Sequence, residues 1–146
     1  MFQDKYDIAR FIEAQEGVYT IALRELQEGR KRSHWMWYVF PQLKGLGRSY
    51  NSNFYGISGT EEASEYLKSP ILGHRLIETS NAILNLATDD AVEVFGGIDS
   101  RKLKSSMTLF DIISPNDMFA RVLDKYFNGQ RDNQTLTIIQ SKNGTI

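Results

Sequence analysis

The chain has 146 residues, 41% hydrophobic and 24% charged, with three prolines and no cysteine. This composition suits one soluble globular domain and excludes a disordered or fibrous chain, a disulfide scaffold, a thiolate metal site and a cysteine nucleophile. The formal net charge of -1 removes the overall positive field of many nucleic-acid binders, so contact with phosphate has to come from local clustering.

The opening residues Met1 to Asp7 show no basic stretch followed by an apolar one, and no apolar run approaches the length of a bilayer. Cytoplasmic residence without a membrane partner is the expectation. Ile8, Phe11, Ile12 and Gln15 recur at helical spacing behind Asp4 and Asp7 as possible caps, which predicts a helix over 4–15. Val18, Ile21, Ala22 and Leu26 form a second stripe, stopped by Gly29. From residue 30 to residue 59 the periodicity lapses, and glycines alternate with serine and asparagine as in a long ordered loop. Such a loop inside a compact domain is more often functional than idle.

Thr60 is expected to cap a short helix through Leu67, and Ser69-Pro70 pairs an N-cap with a proline at the first helical position. Leu72, Leu76, Ile83 and Leu86 line the inner face of that next helix. Asp89 or Asp90 opens a segment ending at Phe95-Gly96-Gly97, and Asp99 is expected to cap a helix striped by Leu103, Met107 and Phe110. Ser114-Pro115 repeats the cap-plus-proline device ahead of Phe119, Val122, Leu123 and Tyr126, with Gly129 as the stop. Over 132–141, Thr135 to Ile139 alternates like a strand while Asp132 can cap a helix. Both remain open, and helix is favoured. The expected fold is therefore all-α, a single compact domain over 1–146 with about seven helices and one long ordered loop.

Chemistry concentrates in two places. Arg30, Lys31 and Arg32 directly precede Ser33, His34, Trp35 and Trp37, so cations suited to phosphate adjoin aromatic faces suited to a base. Against this, residues 35–40 read as a core run, and cations in a helix's last turn stabilise its dipole without a ligand. Lys102, Ser105 and Ser106 share one helical face near a helix start, where free amides attract anions. A packed helix with serines bonded one turn back explains them equally well. His34 and Glu16 are the candidate groups for proton transfer, His34 beside the cations and Glu16 between two helices without a structural task of its own. The segment 45–49, Gly-Leu-Gly-Arg-Ser, lacks a P-loop lysine and reads more simply as a turn. With two histidines forty residues apart, a metal site has no support, and no cofactor is implied.

Several segments together resemble a bacterial family catalogued as a domain of unknown function and sometimes mislabelled calpastatin. The resemblance covers nearly the whole chain and rests on residues 10–15, 29–42 with 45–47, 62–63 with 66–67, 72–76, 95–96 with Asp99, and 102–110. Its most specific runs are KRSHWMW and SSMTLF, and Tyr38 departs from an expected phenylalanine. The resemblance implies a mainly helical fold and no set reaction. A fainter likeness, in helix order and in the Phe-x-x-Ala-Gln end of helix one, is to NADAR domains, linked to ADP-ribose and N-glycosidic bond hydrolysis. The expected function is binding or hydrolysis of an ADP-ribose-like or other phosphorylated nucleoside, with a non-enzymatic nucleic-acid or protein binding module as the alternative.

Overall fold

Residues 4–142 are described by the computed structural model; Met1, Phe2 and Gln3, on which the expectation about a leader partly falls, lie outside the described residues. Among the described residues ten helices follow one another: α1 Ala9–Gln15, α2 Tyr19–Gln27, α3 Met36–Val39, α4 Tyr50–Phe54, α5 Thr60–Lys68, α6 Pro70–Leu84, α7 Ala91–Phe95, α8 Gly97–Ile113, α9 Met118–Phe127 and α10 Asn133–Lys142. The all-α expectation holds, and the stretch left open between strand and helix is helical from Asn133: Asp132 Oδ2 accepts from the Thr135 amide at 3.0 Å and holds the start of α10. Three further helices stand beyond the seven expected.

Two of the additions, α3 and α4, lie in the stretch expected to be loop. Their four and five residues are too few to show a repeat of 3.6, and packing decides them. After α3 the chain makes a closed excursion that contains α4. The Lys44 amide donates to the Ile57 carbonyl and the Ile57 amide to the Gln42 carbonyl, each at 2.9 Å, a single parallel bridge that pins both ends. Gly56 fits there because a Cβ would stand 2.6 Å from the Lys44 backbone.

Several capping assignments change. Asp4 carries the start of α1, accepting from the Ile8 and Ala9 amides, so the helix begins at Ala9 rather than at residue 4. Thr60 is the first helical residue, and Gly59 precedes it without a side-chain cap. Ser114 ends α8, whereas α9 is capped by Asp117, which accepts from the Met118 amide at 2.8 Å. Ser69 with Pro70, and Asp90, cap α6 and α7 as expected.

The long pair α8 and α9 packs together at the centre, with α5 and α6 against them. Leu103, Met107 and Phe110 of α8 meet Phe119, Val122 and Leu123 of α9 in the core, all essentially without exposure. Gly73 lets α6 close on the end of α5, since a Cβ there would meet the Leu67 carbonyl oxygen at 2.0 Å. Two buried polar links lock α1 to this frame. Arg10 Nη2 pairs with Glu62 at 2.8 Å and its Nε donates to the Phe54 carbonyl. Gln15 donates to the Tyr38 carbonyl at 2.7 Å and accepts from Arg75 at 3.1 Å.

Candidate functional site

Glu25 organises the basic-aromatic stretch. It sits in the last turns of α2, 6% exposed, and Gly29, with φ of 83°, turns the chain back over it. The Glu25 carboxylate accepts from the Arg32 and Ser33 amides at 2.9 and 3.0 Å, from the Ser33 hydroxyl at 2.5 Å and from the Trp35 indole at 2.9 Å. Burial works to raise this carboxyl, but the four donors outweigh it and bring it down to about 2. A charged carboxylate thus takes the place of solvent for a turn rich in donors.

This hub sorts the stretch into an inner and an outer set. Trp35 is fully buried, so its ring faces the core. Ser33 is spent on Glu25. Arg30 is exposed and holds only a backbone bond to the Glu25 carbonyl, and Arg32 pairs with Glu28 at 2.9 Å on the surface. Lys31, His34 and Trp37 turn the other way, into a cleft of about 410 Å³ that they share with Lys102 and the start of α8. The basic turn and the first turns of α8, some seventy residues apart in sequence, therefore meet.

The start of α8 is open. Gly96, with φ of 82°, is its N-cap and brings no side-chain cap, and the first amide bonded back is that of Ser100. The amides of Gly97, Ile98 and Asp99 precede that bond, and these three residues line the cleft. Asp99, expected as the cap, lies inside the first turn and spends its carboxylate elsewhere. Oδ2 pairs with Lys31 Nζ at 2.8 Å, and Oδ1 stands 3.7 Å from Lys102 Nζ. The Lys102 ammonium also lies 5.2 Å from the Trp37 ring centroid. Two ammonium groups, one carboxylate, an indole and a free helix start thus share one wall.

Lys102 also lines two neighbouring hollows. One runs from Trp37 to Asn51, Ser52 and Tyr55 of the excursion. The other, about 530 Å³, is bounded by Arg48, Arg101, Lys104 and Ser105. Ser105 thus reaches the cleft system, its hydroxyl donating to the Arg101 carbonyl at 3.2 Å. Ser106 is fully buried with its hydroxyl unpartnered and belongs to the core side of α8. Glu16 is exposed at the end of α1 and is absent from the lining of all three hollows.

Two features escaped sequence reasoning. Glu25 looks like any charged residue of an amphipathic helix, and only the donor-rich turn seven to ten residues later hints at its task. Asp99 is among the carboxylates nearest the candidate segments, but its sequence position favours a competing task as a cap, because acidic residues near a helix start serve that purpose so often. Among the described residues no group of three or more His, Cys, Asp or Glu is arranged to hold a metal ion, and no helix is long and apolar enough to cross a membrane.

No curated protein matches the chain. It is similar to the conserved hypothetical protein Rv1873 from Mycobacterium tuberculosis, known from a crystal structure at 1.38 Å. The two align at 44% identity with a TM-score of 0.91, over 93% of this chain and 98% of that one. The residues that line the cleft and its neighbouring hollows, from Lys31 to Gln134, fall within residues 5–139, which match the domain family described as protein of unknown function (DUF1810), and the chain belongs to that family.

Proposed function

We propose that the cleft binds a phosphorylated nucleoside of the ADP-ribose type. The observation that carries this reading is the convergence of Lys31, His34, Trp37 and Lys102 on the uncapped start of α8. Trp37 is half-buried and offers an aromatic face for a base. The free amides of α8 and the two lysines suit phosphate oxygens. The volume of about 410 Å³ is that of a small-molecule site rather than a protein interface. Lys102 is held to Asp99 only at 3.7 Å, so an entering phosphate recruits it without first breaking a short ion pair. The likeness to NADAR domains favours the same ligand class.

If the bound compound is also hydrolysed at an N-glycosidic bond, Asp99 takes the carboxylate role first considered for Glu16, because it is the carboxylate lining this cavity. It would orient water and stabilise positive charge developing on the sugar.

A thermal-shift panel of adenosine monophosphate, ADP-ribose and NAD tests the binding. A ligand at about a hundredfold excess over its Kd adds about 2.7 kcal/mol and raises Tm by several degrees. Trp37→Ala or Lys102→Ala removes the shift while the protein stays folded. No shift with any of the three, or single-stranded RNA binding that ignores both substitutions, overturns the proposal. Turnover lost in Asp99→Asn with binding retained would support the hydrolytic step.

A further inference from the structure

The cleft continues past Lys102, and the continuation differs from the first basin in its charge. Ile98, Arg101, Lys102 and Ser105 are spaced three and four apart, so they form one stripe along α8. From Ile98 to Ser105 the stripe advances about 10 Å at 1.5 Å per residue. In the first basin Lys31 and Lys102 share the carboxylate of Asp99. In the second, Arg48, Arg101 and Lys104 line a hollow of about 530 Å³, and among the described residues none of their three side chains forms an ion pair or a hydrogen bond. The carboxylate of that hollow, Asp132, is engaged in capping α10 through the Thr135 amide and hydroxyl. Three cations, together with Lys102, therefore face a single carboxylate that among the described residues pairs with none of them, an excess of positive charge that an anion relieves.

The opposite wall is built to keep Arg48 there. Gly47 packs on Ser52 so closely that a Cβ would stand 2.4 Å from its hydroxyl, and Ser49 caps α4 by accepting from the Ser52 amide at 3.0 Å. Arg48 is thus flanked by two fixed positions of the pinned excursion.

We infer that the second basin binds a second phosphate group of the same ligand, so that the preferred compound is a nucleoside bearing phosphates at two separated positions, with Lys102 shared between them. This rests on the reading of the first basin as the nucleoside end. It specifies what that reading leaves open: a single terminal phosphate or an uncharged second half leaves the positive excess of Arg48, Arg101 and Lys104 over Asp132 without an anion. A stripe of about 10 Å is the span of one such molecule and short for a nucleic-acid strand.

Calorimetric titrations of adenosine monophosphate, of adenosine phosphorylated on two ribose hydroxyls, and of inorganic pyrophosphate test this. The wild-type protein should bind the bisphosphate about tenfold tighter than the monophosphate. Arg101→Ala with Lys104→Ala, two side chains that hold no other element in place, should abolish that preference and leave the monophosphate Kd within about twofold. Pyrophosphate should bind wild-type and Trp37→Ala proteins alike and lose about tenfold in the double variant. A bisphosphate that binds no tighter than the monophosphate, or pyrophosphate binding indifferent to the double variant, overturns the inference. Should no nucleoside bind at all, the first-basin reading falls, while the pyrophosphate arm still decides whether the second basin is an anion site.

Discussion

Trp35 and Trp37 stand two residues apart in one basic-aromatic run and have opposite roles. Trp35 is fully buried, gives its indole proton to Glu25 at 2.9 Å and has the Lys31 ammonium 5.0 Å from its ring centroid. Trp37 is half-buried, beneath Lys102 on the wall of the cleft. The difference teaches that an aromatic run beside cations is neither wholly core nor wholly site. Glu25 draws one set of donors inward, and the short α3 then turns the next aromatic outward.

The largest effect that would break this contrast is on stability. Trp35→Ala should cost about 3–5 kcal/mol in urea unfolding, as for a fully buried large aromatic, whereas Trp37→Ala should cost about 1 kcal/mol or less. Equal losses would end the division. Next, Glu25→Ala leaves the Trp35 indole and two amides unpaired and should cost on the order of 3 kcal/mol, and Glu25→Gln, which keeps an acceptor, about 1–2 kcal/mol. A smaller, pH-dependent effect follows from the depressed carboxyl. Because the folded Glu25 sits at about 2, below its ordinary value of 4.5, its contribution is complete above the ordinary value and disappears as pH falls through the folded one. The stability gap between wild type and Glu25→Gln should therefore narrow between about pH 5 and about pH 2. A gap that stays constant over that range would show that the charge of Glu25 does not matter. Smallest of all, Arg32→Ala removes only an exposed pair with Glu28 and should change stability by about 0.5 kcal/mol or less, with nucleotide binding unaltered.

Most of the frame was legible because its signals are local. Ser69 before Pro70, Asp90 before α7 and the stripes of α8 and α9 each declare themselves within a turn or two. Asp132 declares α10 in the same way, although Thr135 to Ile139 also alternates. What escaped needed partners distant in sequence. The helices α3 and α4 exist because Met36, Val39 and Ser52 are buried by other elements, and five residues hold no period to detect. The opening of α8 at Gly97 was hidden because a glycine pair reads as an ending, yet the positive φ of Gly96 resets the chain between two helices. At the site, the composition of residues 30–37 showed that phosphate chemistry was available but not which cations face inward. Lys31 does so through Asp99, and Arg30 and Arg32 do not. Arg48 could not be joined to Arg101 and Lys104 from spacing alone, since the fold brings them together across more than fifty residues.

The Leu43 and Ile57 bridge has a bearing on how this molecule can change over evolutionary time. It ties the two ends of the 44–56 excursion to each other, and Arg10 of α1 holds the returning side through the Phe54 and Gly56 carbonyls, so only the tip around Arg48 hangs between this neck and that anchor. Residues can be added to or taken from that tip without shifting α2 or α8, because loop length alone changes closure entropy only slowly. One wall of the cleft is thereby free to diversify while the opposite wall, built on α8, is held by the packing of the domain. Within the family, differences in ligand preference should therefore gather between the two ends of this neck.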